Sequence, residues 1–600
     1  MHSLFPLGVY FMPSSLYEST VCQLLDSNPP VFKSFPSPAD WRDQWIYFLL
    51  IDRFNNPAKQ PENGEPCGMY QGGNFAGIRE QLPYLKKMGM GAIWLSPVLM
   101  NPLWFKQYWG GYGIMDFLRI EPRFCLNPKE AIDNPQIADK EFRDLVDYAH
   151  SLGIYVILDI VLNHVSDLFH YEGMRDAAPW NEDREYKIYW RDSHGIARNT
   201  WTDCDKIPSL PRDAGIWPKE FQKNEYFRRR GEYTKEEPTK GDFGSLKELA
   251  TDYHQPGSKV YPVRNLLIRT YQYLMAKFDI DGYRIDTLQY VESDFARVFG
   301  NAIREYALSI GKHNFFTFGE IWLDDNDHKT TERQIAEFIG RNTEKDYDLI
   351  GIDAALDFPM SQHLVNACKG YEEPYHLALH FDARREVLSR LVSSHGDAGR
   401  YYVTFLDNHD MNARFHNPKF PEQTKIALTC LMTMQGIPCI YYGTEQGLDG
   451  HGNIREYVRE ALWGKENAFS QEHDLYLLLQ KLSHLRLQQP ALRYGRQYFR
   501  PCSGNGKDFA YSPYRGGIIA FSRILNTQEV LVVANTHTSQ KIRTHIVIDK
   551  NLNPEGKAWN ILFSTNPDCI KPMKVRNQGD CHTVEVTLLP MEAQVLSPGL

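Results

Sequence analysis

Asp281-Gly-Tyr-Arg-Ile-Asp286 closes an apolar stretch, and Phe318-Gly-Glu-Ile-Trp322 places a second acid 34 residues after Asp286. Phe405-Leu-Asp-Asn-His-Asp410 and Leu158-Asp-Ile-Val-Leu-Asn-His164 are two further ends of the same kind. Each is a strand-like run finished by a carboxylate or an imidazole. Four such ends in one chain predict a parallel barrel that keeps its chemistry on one rim, where side chains at the C-terminal ends of the strands converge.

Working outward, a strand-then-helix rhythm recurs. Strands are predicted at Trp45 to Ile51, Ala92 to Leu95, Ile154 to Ile160, Gly282 to Asp286, Phe315 to Ile321, Ile352 to Phe358, Tyr401 to Leu406 and Ile437 to Tyr442. Helical patterns lie between them, such as the stripe Phe142, Leu145, Val146 and Ala149 that stops at Gly153. Eight such units imply a closed (β/α)8 TIM barrel of the α/β class. An open doubly wound sheet is disfavoured because no G-x-G-x-x-G follows the first strand. The barrel is expected over 41–165 and 253–490, interrupted after its third strand by an inserted domain, 166–252, too long and too Trp-rich for an ordinary loop. From 491 to 600 short alternating runs such as Val530 to Ala534 and Thr583 to Leu589 predict a C-terminal antiparallel β-sandwich. Residues 1–40, rich in Pro between Pro29 and Pro38, read as an N-terminal extension.

Composition narrows the partners. A formal charge of -9 over 600 residues, without long single-sign runs, gives no basic footprint for nucleic acid or an anionic membrane. No apolar run approaches the ~18 to 20 residues of a membrane helix. The first residues carry no Lys or Arg before their apolar stretch and are broken by Pro6 and Pro13, unlike a signal peptide. Ten cysteines without a C-x-x-C pair read as free thiols, so a cytoplasmic protein is expected, and no cysteine–histidine cluster points to zinc.

Asp286, Glu320 and Asp410 should therefore meet. Taken singly, an Asp at a strand end is more often a helix cap; three acids with Arg284, His164 and His409 on one rim form a catalytic set. Cleaving a glycosidic bond with retention needs a carboxylate nucleophile and a carboxylic acid, held ~5 to 5.5 Å apart. Arg284, two residues before Asp286 and on its face, should keep that carboxylate ionised, whereas the apolar setting of Glu320 should keep it protonated. The 13% aromatic content suits sugar rings as well as a core of large side chains.

The four segments, in their order and spacing, resemble the conserved regions of the α-amylase superfamily of glycoside hydrolases. So do Gln71-Gly-Gly-Asn-Phe-Ala-Gly77 and Tyr441-Tyr-Gly-Thr-Glu445. The resemblance implies that Asp286 is the nucleophile, Glu320 the general acid and base, and Asp410 a carboxylate gripping sugar hydroxyls. It implies substrate contacts for Tyr112, His164, Arg284 and His409, and an α-1,4-glucan or maltooligosaccharide as substrate. A 4-α-glucanotransferase or another α-glucoside transferase or isomerase would share these residues, and a non-catalytic barrel would lack the acids. The resemblance also implies Ca2+ between barrel and insert, on Asn163 and Asp242. Three departures stand out. Gly110 replaces the His usual two residues before Tyr112, Gln289-Tyr290 replaces the Lys-His frequent after the nucleophile, and Leu246-Lys-Glu-Leu249 replaces a segment usually closer to Leu-Pro-Asp-Leu.

Overall fold

The computed structural model describes residues 34–62, 68–174, 177–235, 237–323, 327–342, 349–450, 455–566 and 572–599. Most of the expected N-terminal extension, residues 1–33, lies outside the described residues.

Eight parallel strands form one sheet: β1 Ile46–Leu49, β2 Ala92–Leu95, β3 Tyr155–Val161, β4 Gly282–Asp286, β5 Phe316–Gly319, β6 Ala354–Ala355, β7 Val403–Thr404 and β8 Ile437–Tyr441. Their order is β6-β5-β4-β3-β2-β1-β8-β7, and a parallel bridge from Leu356 to Val403 joins the two ends. The sheet is thus a nearly closed TIM barrel. Strands in such a barrel are covered on both faces and read as continuous apolar runs. Tyr155–Val161 shows it, with every residue after Tyr155 buried and one charge, Asp159, among them.

β6 and β7 are shorter than their apolar runs suggest. Asp357 caps the helix Phe358–Lys369, its side chain accepting from Met360 N, with Pro359 in the first turn. A side-chain cap followed by proline starts a helix, so the expected strand end at Phe358 becomes a helix start. The stripe Phe142, Leu145, Val146 and Ala149 is fully buried in the helix Pro135–Ser151.

The Gln71 to Gly77 motif has a packing cause. Backbone N–H groups of Gln71 and Gly72 donate to the Asp52 carboxylate, and Asn74 caps the helix Phe75–Met88. A Cβ on Gly77 would lie 2.0 Å from Asn55 O, so only glycine lets these two backbones meet.

The opposite end of the barrel is a stability pole. Buried Asp281, just before β4, binds Lys312 Nζ at 2.8 Å, His150 Nε2 at 2.8 Å and Val156 N at 2.8 Å. Phe35 stacks on His150 there.

Between β3 and β4 the chain forms short antiparallel ladders, His164–Val165 with Lys247–Glu248 and Phe169–Tyr171 with Ile188–Trp190. Beyond the barrel, a six-stranded and a four-stranded antiparallel sheet make the C-terminal part. Strand Gln528–Asn535 shows how it docks. Leu531 and Val533 enter the core between the two sheets, whereas Val530, Val532 and Ala534 pack into the barrel's core. Strand side chains alternate with period two, so one strand seals both cores. Among the described residues Cys125, Cys204, Cys368, Cys430, Cys439, Cys502 and Cys581 are free. No helix among the described residues is long and apolar enough to cross a membrane.

Candidate active site

Register sets the centre of the site. Arg284 on β4 lies beside Asp159 on β3 and Phe318 on β5, so a parallel ladder brings Arg284 and Asp159 onto the same interior face. Arg284, 1% exposed, sends Nη1 to Asp159 Oδ1 at 2.8 Å and to Asp286 Oδ1 at 2.7 Å, and Nη2 to Glu320 Oε2 at 2.9 Å. One guanidinium therefore spans the two acids expected to do the chemistry. Fixed N–H forks of this kind are the strong, geometry-defining hydrogen bonds of proteins.

The remaining residues close a ring around it. Tyr112 donates to Asp159 Oδ2 at 2.9 Å, its hydroxyl lies 2.9 Å from His409 Nε2, and its ring stacks on His409. His409 Nε2 is 3.2 Å from Asp410 Oδ2, and Arg459 Nη2 donates to Asp410 Oδ1 at 3.0 Å. His164 Nε2 stands 4.0 Å from Asp286 Oδ2, too far for a hydrogen bond. Thr287, directly after Asp286, has φ of 46°, a strained conformation for a β-branched residue, and its N–H donates to Glu320 Oε2 at 2.9 Å. The structure thus brings together Tyr112, His164, Arg284, Asp286, Glu320, His409 and Asp410. The Gly110 departure is explained by Tyr112: a Cβ at Gly110 would sit 2.5 Å from that ring.

Electrostatics differ from the expectation in one respect. Arg284 is expected to lower the Asp286 carboxyl, but burial outweighs its pull, Asp159 and Asp410 add repulsion, and Asp286 rises to about 7. Glu320 rises further, to about 8, through burial first, with Arg284 opposing and Asp286 and Asp410 adding. Both acids rise, Glu320 the more, which is the direction expected of a proton kept on Glu320. Burial holds His164 down to about 3, so its imidazole is neutral.

Sequence reading gave no role to three residues of this site. Asp159 is the second anchor of Arg284, and its signal was a lone acid inside the apolar run Tyr155–Val161. Trp94 Nε1 donates to Asp159 at 3.1 Å, and Arg459 holds Asp410 from the chain that follows β8. Neither has a sequence signal that separates it from core or surface.

The residues expected to hold calcium have other partners. Asp242 is buried and already satisfied, accepting from Tyr171 Oη at 2.6 Å, Glu248 N at 3.0 Å and the Lys247 ammonium at 3.4 Å. Lys247, 0% exposed, also lies 3.5 Å from Asp167 and over the Phe169 and Tyr171 rings. Asn163 turns its side-chain amide toward His164 Nδ1 at 3.5 Å. A fixed ammonium among the carboxylates supplies the positive charge and repels a second cation, so Asn163 and Asp242 do not fit Ca2+. Lys247 stands where the family's segment usually has proline, which is how the departure acts.

The profile described as the catalytic domain of alpha amylase matches residues 48–474. The chain is similar to an alpha-amylase of Streptomyces lividans, 27% identical over 76% of this chain and 50% of the relative. It is similar to a cyclomaltodextrin glucanotransferase of Geobacillus stearothermophilus, 26% identical over 82% of this chain and 59% of the relative. The chain spans about half the length of the curated relatives it matches, 50%, 38% and 59% for three of them. In fold it is similar to an α-amylase of Anoxybacillus, TM-score 0.65 at 24% identity, covering 94% of this chain and 100% of that one. An α-amylase of Geobacillus thermoleovorans, complexed with acarbose, gives TM-score 0.60 at 22% identity with the same coverage.

Replacing Lys247 by Ala strips the buried carboxylates of their cation. We expect a loss of about 3 to 5 kcal/mol, read as a lowered urea midpoint. Adding Ca2+ to chelator-treated wild-type protein should leave its melting temperature unchanged, and a rise would contradict the assignment of Lys247.

Proposed function

Because the chain belongs to the alpha-amylase family, we propose that it is a retaining α-glucan hydrolase working by double displacement on α-1,4-linked starch, glycogen or maltooligosaccharides. One observation carries the reading: a single buried guanidinium joins Asp286 and Glu320, with Asp410 and two histidines at the same rim.

Glu320, protonated, gives its proton to the glycosidic oxygen while the ionised Asp286 attacks the anomeric carbon. The aglycone leaves and a glycosyl ester on Asp286 results. Glu320, now a carboxylate, takes a proton from water, whose oxygen attacks the anomeric carbon and restores both acids. Arg284 holds Asp286 and Glu320 at fixed positions through both steps. Neutral His164 offers a donor beside Asp286, and His409 and Asp410 supply a donor and an acceptor for sugar hydroxyls. Tyr112 offers its face to the ring as charge develops.

A 4-α-glucanotransferase is the second reading, and an aromatic group favours it. Tyr290, where Lys-His is frequent, packs against Tyr233 and Phe243 of the insert with ring centroids 5.0 and 5.4 Å away. All three are half-buried, and Phe243 stacks on His164. Apolar faces next to the nucleophile would seat a sugar acceptor in place of water. Trp322, 42% exposed beside Glu320, adds a further platform.

Maltoheptaose and soluble starch should yield only shorter saccharides, released first as the α-anomer, and Asp286→Asn should lose ~10⁴-fold or more in kcat without loss of folding. Products longer than maltoheptaose would establish the transferase, and normal rates in the variant would overturn the nucleophile. The titrations set the pH dependence: Asp286 must be ionised and Glu320 protonated. We therefore expect kcat/KM to fall below pH about 7 and above about 8. A profile flat from acid to alkaline pH would contradict these assignments.

A further inference from the structure

Three helices on the outside of the barrel bring His328, His363 and His380 into one cluster in which one ligand nitrogen from each lies within 4.8 Å of the others. They belong to His328–Ala336, which follows β5, and to Phe358–Lys369 and Tyr375–Leu388, which follow β6. The three ring centroids are 4.9, 5.1 and 5.2 Å apart, close to an equilateral triangle. His363 and His380 are buried and His328 is half-buried.

The surrounding carboxylates fix the tautomers. Glu332 Oε1 is 2.8 Å from His380 Nε2, so that nitrogen carries the proton and Nδ1 keeps its lone pair. Nδ1 of His380 lies 3.2 Å from Nδ1 of His328. Glu372 Oε1 is 3.0 Å from His363 Nδ1, which leaves Nε2 of His363 as its ligand atom. A histidine that hands its second nitrogen to a carboxylate is the usual arrangement of metal-ligating imidazole, and here two of the three do so.

We propose that His328, His363 and His380 form a binding site for a borderline divalent transition-metal ion, Zn2+ by donor set. Three imidazole nitrogens, Zn–N distances of ~2.0 to 2.1 Å and a fourth position left to water make a tetrahedral site. An all-nitrogen set excludes Ca2+ and Mg2+, which take oxygen ligands. Bound metal clasps the helix after Glu320 to the pair after β6. Phe358, which opens one of these helices, stacks on Trp322 at 4.9 Å, so the clasp supports the rim of the active site from outside.

The test is titration of chelator-treated full-length protein with Zn2+ alone, followed by calorimetry and melting temperature, and with Co2+, followed by its visible tetrahedral bands. One ion per chain, a raised melting temperature and tetrahedral Co2+ bands are expected. Glu372→Gln should weaken Zn2+ about 10- to 100-fold, and His363→Ala and His328→Gln should abolish the Co2+ bands. His328 is half-buried at a helix start, so its variant keeps the test valid if His363→Ala misfolds. Absence of stoichiometric Zn2+, or binding that survives in His328→Gln at wild-type affinity, would overturn the proposal in favour of surface histidines.

Discussion

One buried positive charge organises the active face. Arg284 has no solvent to stabilise it and answers to Asp159, Asp286 and Glu320 at once. A unit pair ~4 Å apart gains about 4 kcal/mol at an effective dielectric of 20, and burying each further anion costs several kcal/mol. One cation therefore cannot hold three neighbouring carboxylates ionised. Burial raises Asp286 and Glu320 together, Glu320 the more, so the set retains a proton more readily than isolated carboxylates would. Fold and chemistry meet here: the β3–β4 register sets Asp159 beside Arg284, and Asp159 fixes the guanidinium that positions the two acids.

A second buried cation organises the segment between β3 and β4. Lys247 is enclosed by Asp242, Asp167 and two aromatic faces, and its backbone pairs with Val165 just beyond His164. The segment between β3 and β4 is thereby tied to the strand end that carries His164. The rings of Tyr233, Phe243 and Tyr290 form one cluster there, and Phe243 stacks on His164.

How much of this could be read in the sequence follows from how local each signal is. The barrel was legible because eight apolar runs alternate with helical stripes, and the C-terminal sheets because their period changes to two. Asp286, Glu320 and Asp410 could be expected on one rim because each follows an apolar run, although Asp410 stands past the end of β7, on the turn that follows Val403–Thr404. β6 was overestimated because a capping Asp357 before Pro359 overrides an apolar run. Lys247 was visible only as a departure from a pattern; its role depends on Asp167, 80 residues earlier, and on burial. His328, His363 and His380 are 35 and 17 residues apart on three helices, with no ligand spacing of their own, so only packing reveals them.

The most direct test of the Arg284-centred account is covalent trapping with a fluorinated α-glucosyl fluoride, a slow substrate that lets the glycosyl ester accumulate, read by peptide mass spectrometry. The account predicts a single label on Asp286 in the wild-type protein and none in Arg284→Ala that still folds. A label on another carboxylate, or undiminished labelling of Asp286 without Arg284, would contradict it.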